Sequence, residues 1–440
     1  MTRERQALRK GLGLGLGVLA CACALGSSPA LAQDEAPVRH ALVIGANDGG
    51  GTLTPLRYAE RDAEQIVDVL TELGGFREDR VTVLYQPNRE TVQAALAHHA
   101  ALAEAADDDL FVLYYSGHAD AQGLRLGPET YWFDSLKHDL RDINSTARLG
   151  VLDACRSGSI TRFKGAKVAP SLFAGQDRLA ATGEVWLTAT SADEVAQESE
   201  SLRGGFFTHY LVSGLRGAAD TGDGLVDVDE LRKYTYDKVV ARSGQAGATQ
   251  RPHFDVNLSG SQGLALTDVR RADATLILDQ GGPGQVSVLR VADRTQLAEV
   301  EVTPDRDVRL ALPAGRYFVR RRDRDGELWE AQVALTSSLP VEVTSWRSVT
   351  AEMAMARGTS KVDAFQNRVR HYRERSQGFV EDLNLGESPT VAGSLSLLVP
   401  GGGQLYNGER TKAVAYFLGT ASIIGGATVF SLGSNDGRRT

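Results

Sequence analysis

Two short segments carry residue types suited to nucleophilic chemistry. Ser116-Gly117-His118-Ala119-Asp120 follows the apolar run Leu110–Tyr115, and Asp153-Ala154-Cys155-Arg156-Ser157-Gly158 follows the apolar run Leu149–Leu152. A thiolate is a strong nucleophile when its pKa is lowered and a base stands nearby, and an imidazole is the usual group to shuttle the proton. In an open parallel sheet, ligands bind at the carboxyl ends of strands. If these two strands are neighbours, His118 and Cys155 meet in one crevice. Gly117 and Gly158 let the backbone approach a substrate closely. Taken alone, a cysteine at a strand end is an ordinary buried hydrophobe. Seven other histidines compete for the proton-shuttling role: His40, His98, His99, His138, His209, His253 and His371. None of them stands in a glycine turn at the end of a strand, which singles out His118.

The elements that would position these residues alternate between strand and helix across 38–262. His40–Asn47, Arg80–Tyr85, Leu110–Ser116, Leu149–Ala154 and Val185–Thr190 are short, strongly apolar strands. Ala59–Leu73 places Ile66, Val69, Leu70 and Leu73 at helical spacing, and Thr91–Ala105 does the same with Val92, Leu96 and Leu102. Apolar strands alternating with helices predict a mostly parallel sheet covered on both faces. From 268 to 350 the pattern changes to period-two runs separated by Gly, Pro and Asp-Gly turns, which predicts a small antiparallel module of β-sandwich type. Residues 351–387 read as a charged helical stalk. Within 388–432, Ala413–Leu432 is twenty residues long without a charge, the length of one membrane-spanning helix.

The two chemical segments resemble the His and Cys motifs of the caspase–metacaspase superfamily of cysteine peptidases. The similarity extends through Ala41-Leu-Val-Ile-Gly-Ala46, Leu56-Arg-Tyr-Ala-Glu-Arg-Asp-Ala63 and Gly205-Phe-Phe-Thr-His-Tyr-Leu211, and covers about residues 38–258. It implies a caspase-like fold, with Cys155 as nucleophile and His118 as general acid and base. The backbone N–H groups of Ala119 and Cys155 would form the oxyanion hole. By the same resemblance Asp62, Ser116 and Asp153 line the pocket for the side chain preceding the cut, as in metacaspases. Two carboxylates there would attract Arg or Lys and repel Asp. The family usually has Gly where this chain has Ala119, and a positive φ at that position would cost an Ala about 1 kcal/mol or more.

No cofactor is required by this chemistry and no metal ligand set is expected. Calcium stays open, since metacaspases often use it. Asp220–Glu230 looks like a calcium loop but is misphased: with Gly224 at the sixth position the first is Ala219, and starting at Asp220 leaves Glu230 one place short. It reads instead as an Asp-Gly turn before a capped helix from about Asp229. The linker Ser159–Gly183 carries Arg162, Lys164, Lys167 and Arg178, sites an acidic pocket would accept, so self-cleavage between Arg162 and Arg178 is an expectation. Asp193–Ser199 reads as a loop beside the site.

Composition is that of a globular chain, 42% hydrophobic and 24% charged, which excludes a disordered or collagen-like polypeptide. The net charge is -8, and residues 1–32 hold four cations (Arg3, Arg5, Arg9, Lys10) against Glu4, so the remainder is more acidic still. Nucleic-acid binding through bulk charge is therefore not expected. Residues 1–32 read as a secretory signal cut after Ala30-Leu31-Ala32. A second reading takes Val18-Leu19-Ala20-Cys21 as resembling a lipobox. Pro400–Gly408 resembles the turn of small bacterial two-helix membrane modules, and Leu312–Val319 resembles the hairpin of carboxypeptidase-regulatory-like and PEGA-type extracellular modules. The sequence thus predicts an exported, membrane-anchored cysteine endopeptidase of the periplasm or cell envelope, acting on a protein or peptide substrate. The alternative is a non-catalytic scaffold of the same fold, which only Ala119 favours.

Overall fold

The computed structural model describes residues 38–104, 108–161, 182–191, 194, 196–260, 263–278, 283–304, 307–336, 339–350 and 363–383. The leader 1–32, the linker between Arg162 and Arg178, and the apolar segment 388–432 lie outside the described residues. Among the described residues no helix is long and apolar enough to cross a membrane.

The chain runs β1 (Val38–Ala46), α1 (Ala59–Glu72), β2 (Val81–Tyr85), α2 (Arg89–Glu104), β3 (Asp108–Gly117), the hairpin β4 (Gly123–Leu126) and β5 (Glu129–Trp132), α3 (Phe133–Arg141), β6 (Ser145–Asp153) and β7 (Thr182–Thr188). It continues through the short pair β8 (Glu198–Ser199) and β9 (Gly204–Gly205), α4 (Phe206–Ser213), β10 (Leu225–Asp227), α5 (Val228–Gln245), β11 (His253–Ser259) and β12 (Ala265–Asp268). The central sheet has the order β11-β7-β6-β3-β1-β2. The five strands expected from the apolar runs are its parallel members. The sixth, β11, pairs antiparallel at the edge. Its residues are mostly exposed, so the sequence offers no apolar run to mark it.

Alternation along each strand divides the interior in two. Ala41, Val43, Val112, Tyr114, Val151 and Leu187 face α1 and α4, where they meet Ile66, Leu70, Phe207 and Leu211. Leu42, Ile44, Phe111, Leu113, Leu152 and Trp186 face α2 and α3, against Leu96, Leu136 and Leu140. Burial on both faces is why these strands read as unbroken apolar runs. The chain leaves β1 toward β2 on one side, while β3 lies on the other, so the switch point falls between β1 and β3. Gly45 sits at that end of β1, where a Cβ would lie 2.7 Å from the Cα of Glu60. Its absence lets the first turn of α1 come down on the strand.

A second body of strands follows: β13 (Ala274–Leu278), β14 (Gly284–Arg290), β15 (Gln296–Val302), β16 (Val308–Leu312), β17 (Gly315–Arg322), β18 (Leu328–Leu335), β19 (Val341–Glu342) and β20 (Arg347–Ser348). They form a three-stranded sheet, β16-β13-β19, and a five-stranded sheet, β15-β14-β17-β18-β20. The two sheets enclose a core that includes Leu276, Val286, Val300, Leu310, Val319 and Leu335. All pairings are antiparallel except β13 with β19.

The helix α6 (Asp363–Leu383) is the described part of the expected stalk. It lies along the outer edge of β2. Ser376 Oγ accepts the Tyr85 N–H at 3.2 Å, Arg375 donates to the carbonyls of Glu78 and Val81 at 2.5 and 3.2 Å, and Arg373 pairs with Glu60 at 2.7 Å. Phe379 and Val380 join the core on the α2 side. An open strand edge is thereby covered, which removes a template for pairing with other chains.

Gly150 of β6 lies opposite Trp186 of β7, and a Cβ there would come within 2.3 Å of the indole ring. Gly150→Ala should therefore lower stability by about 1–3 kcal/mol through overpacking. Urea unfolding followed by tryptophan fluorescence checks this, and an unchanged midpoint would contradict the packing of Trp186 over β6.

Candidate active site

Parallel pairing sets Ser116 of β3 directly opposite Asp153 of β6. His118 and Cys155 each follow two residues later, so the two loops leave adjacent strands at the same carboxyl edge. On β3, Tyr114 belongs to the α1 and α4 face and Tyr115 to the other. Ser116 continues the Tyr114 side, and Asp153 continues that of Leu149 and Val151.

The histidine loop is tightly held. The His118 carbonyl accepts the Arg125 N–H at 2.8 Å and the Tyr115 hydroxyl at 2.7 Å. Its ring Nε2 lies 3.0 Å from the Thr54 carbonyl. A carbonyl only accepts, so Nε2 donates to it and Nδ1 is the ring nitrogen left for other partners. The loop after β1 backs the ring, since a Cβ on Gly49 would sit 2.7 Å from the imidazole. Ala119 forms a bridge with Leu124 and is outside the left-handed region, so it carries none of the backbone strain that the missing glycine raised.

Cys155 is half-buried and has no disulfide partner. Burial pushes its thiol above the ordinary value. The hydrogen bond from the Ala196 amide pulls the other way, the neighbouring Asp153 carboxylate adds to the rise, and its own amide and Arg156 oppose it. Arg156 takes a positive φ of 55°, and its N–H donates to the Glu194 carbonyl at 3.1 Å, while the Gly158 N–H donates to Thr190 at 3.0 Å. These two bonds pin the turn that carries the sulfur.

Behind this turn the structure brings Asp62 and Asp153 together. They are only 2% and 6% exposed, and Ser116 is buried with them. The Gly205 N–H donates to Asp62 Oδ2 at 3.0 Å. Thr208 gives Asp153 Oδ2 two bonds, from its N–H at 3.2 Å and its hydroxyl at 2.6 Å. A Cβ on Gly205 would meet carboxylate oxygens of both residues, at 2.6 and 3.3 Å, so only glycine fits between them and α4. Asp62 Oδ1 is buried with no hydrogen-bond partner among the described residues. Desolvation, and then the charge of Asp153, hold the Asp62 carboxyl well above the usual carboxylate range, against the Gly205 bond. Desolvation lifts Asp153 to about 6, against its two bonds from Thr208 and with a further push from Glu198. Glu198 itself accepts the N–H of Tyr58 at 2.9 Å and that of Arg57 at 3.2 Å, so it caps α1 from a distant loop.

Thr208, Gly204, Gly205, Glu198 and Thr54 were not singled out from sequence. Gly205 and Thr208 stand in the segment Gly205–Leu211, whose similarity was legible, but nothing local shows that a threonine there reaches a carboxylate 55 positions away. The loop Asp220–Glu230 holds no metal cage. Asp220 Oδ1 accepts the N–H groups of Gly222 and Gly224, Glu230 accepts from Thr221 and Asp227, and among the described residues no three ligating side chains gather. The helix begins at Val228, one residue before the expected start, with Asp227 as its cap in a full capping box.

A mostly parallel α/β sheet with a cysteine and a histidine loop at neighbouring strand ends is an architecture of caspase type. The family model described as Caspase domain matches residues 38–261, just over half of the 440 residues, and the chain belongs to that family. Membership supports a cysteine-protease function in general, and hence protein or peptide substrates. Among solved structures the chain is similar to caspase-1 from Spodoptera frugiperda, with 17% identity and a TM-score of 0.36 over 50% of this chain and 86% of that one. It is also similar to pro-sf-caspase-1, with 16% identity and a TM-score of 0.36 over 50% of this chain and 91% of that one. No curated protein matches it.

The acid pair destabilises the fold at neutral pH. The native state holds the Asp153 proton up to about pH 6, whereas the unfolded chain releases it near 3.8, so stability falls as pH rises through that window. Asp153→Asn keeps an acceptor for Thr208 and removes the charge. It should gain about 1–3 kcal/mol at pH 7.5 and nothing below about pH 4. Urea unfolding at the two pH values checks this, and a loss of stability at pH 7.5 would contradict it.

Proposed function

We propose that the protein is a cysteine endopeptidase that cuts after Arg or Lys. Cys155 Sγ attacks the peptide carbonyl as its proton passes to His118 Nδ1, and the Sγ–C bond forms as the C–N bond breaks. His118 gives that proton to the leaving amine, then takes one from the water that attacks the thioester and returns it to Sγ as the Sγ–C bond breaks. The raised thiol pKa favours the protonated sulfur at rest, so that proton transfer accompanies attack. The N–H of Ala119 stays out of the hairpin ladder, which uses the His118 carbonyl and the Asp120 N–H. With the Cys155 N–H it would receive the developing oxyanion.

The observation that carries the specificity is the buried acid pair, with Asp62 Oδ1 left without a donor. A guanidinium or ammonium entering beside Ser116 would supply a donor to Asp62 Oδ1 and further opposite charge to the pair. An Asp side chain would add a third carboxylate. We further infer from residues 1–32 and Ala413–Leu432 that the protein is exported and held at a membrane of the cell envelope. Self-cleavage between Arg162 and Arg178 belongs to the same proposal and is read, with and without calcium, as shortening of the wild type that Cys155→Ala does not show.

A fluorogenic panel should show cleavage after Arg and Lys, none after Asp, and complete loss in Cys155→Ala, with calcium present or absent as a separate arm. The kcat/KM for Arg substrates should fall below about pH 6, where Asp153 takes up its proton. Equal cleavage after Asp would overturn the specificity, and undiminished turnover by Cys155→Ala would overturn the mechanism.

A further inference from the structure

We propose that the second body of strands is part of the specificity pocket, with the segment 295–299 setting the separation of Asp62 and Asp153 through Arg61 and α4. This rests on the peptidase reading above and names residues that reading does not use. The helix α4 is only eight residues long, and every one of them is buried. Its first turn holds the acid pair through Gly205 and Thr208. Its remaining polar groups turn to β15. The Tyr210 hydroxyl donates to Glu299 Oε1 at 2.7 Å, the Glu299 N–H donates to Ser213 Oγ at 3.3 Å, and the Glu299 carbonyl accepts from the Tyr234 hydroxyl of α5 at 2.5 Å. Glu299 is itself 6% exposed and is further held by Gln296 at 2.7 Å and by Gln285. One residue before Asp62, the buried Arg61 donates to Thr295 Oγ1 at 2.9 Å. Both arms that carry the pocket carboxylates therefore end on five consecutive residues of one strand and the turn before it.

The energetic argument follows from burial. The Glu299 carboxyl accepts from three donors, Tyr210, Gln296 and Gln285, whereas a Gln in its place offers a single acceptor oxygen. Removing the charge leaves a buried donor without a partner, which loosens α4 against β15. Water reaching the acid pair would then lower the desolvation that keeps its protons on. The groups facing the pair are Arg61 on α1, Tyr114 on β3 and Glu198 on β8. On the far side of α4 the buried His209, held to about 4 by desolvation, faces Glu299, Arg242 and Arg61, so it stays neutral throughout the range tested. A change in the acidic limb would thus report on the two aspartates.

The test uses the full chain with Cys155→Ala, so that binding is read without turnover, and benzamidine as an amidinium probe followed by calorimetry from pH 5 to 8. Benzamidine should bind the parent with an acidic midpoint near 6. Glu299→Gln and Thr295→Val should each weaken it about tenfold and move the midpoint toward the ordinary carboxylate range, while Thr295→Ser restores both. In the active chain the same changes should raise KM for Arg substrates more than they lower kcat. Glu301→Gln, which breaks only the Lys238 pair on the same seam at 3.1 Å, should do none of this. Should Glu299→Gln fail to fold, the Thr295 pair decides alone. Equal benzamidine binding and an unmoved midpoint in the variants would overturn the inference and leave the pocket standing. No benzamidine binding by the parent would overturn the pocket itself.

Discussion

Two carboxylates share one desolvated space behind the cysteine turn, and most of the polar architecture exists to hold them there. Like charges out of water repel, so the charge of Asp153 adds to desolvation in raising the proton affinity of Asp62. The fold answers with donors from the start of α4: the Gly205 amide for Asp62, and the amide and hydroxyl of Thr208 for Asp153. One oxygen, Asp62 Oδ1, is left without a donor among the described residues. A structure built only for stability would place an apolar pair here. Retaining the acids is a cost, and under the proposed specificity a bound cationic side chain offsets it.

The sulfur and imidazole depend on a different constraint, the register of β3 against β6. A parallel ladder fixes which residues leave the sheet side by side, and here it fixes Ser116 beside Asp153. Everything local to the two loops then serves to stop them moving. The His118 carbonyl is clamped by Arg125 and Tyr115, its ring by the Thr54 carbonyl, and the cysteine turn by Glu194 and Thr190. The proposed reaction depends on such restraint, because a nucleophile and base act only when held within hydrogen-bond reach.

The edges of the sheet are treated unequally. The β2 edge is covered by α6, which places a hydroxyl on the Tyr85 amide and a guanidinium on the Glu78 and Val81 carbonyls. A charged helix expected to stand away as a stalk therefore packs against the sheet. Its charges are spaced so that Tyr372, Arg373, Arg375 and Ser376 reach strand and helix partners, while Phe379 and Val380 supply apolar contact. The opposite edge, β11, remains the outermost strand. The β sheets that follow are joined to the catalytic half through the buried Arg216, whose guanidinium pairs with Glu72 at 2.8 Å and bonds the Ala311 carbonyl.

The sequence by itself determined the five parallel strands, the helices α1 and α2, the change to period-two strands after Ala272, and the two loops with their cysteine and histidine. These are local matters: apolar periodicity follows from burial on one face or two, and a glycine turn at a strand end is visible in a few residues. It did not reveal β11, whose exposed residues leave no apolar signature, nor the docking of α6. The companions of the acid pair were equally hidden, because Thr208, Gly205 and Glu198 reach Asp153, Asp62 and the start of α1 across 55 to 143 positions or more than a hundred residues of intervening chain. Only the tertiary structure decided that Ala119 is unstrained, that the calcium-like loop spends its carboxylates on its own backbone, and that Asp62 and Asp153 face each other. Such facts depend on which distant groups share one desolvated volume, and that is a property of packing and not of any segment.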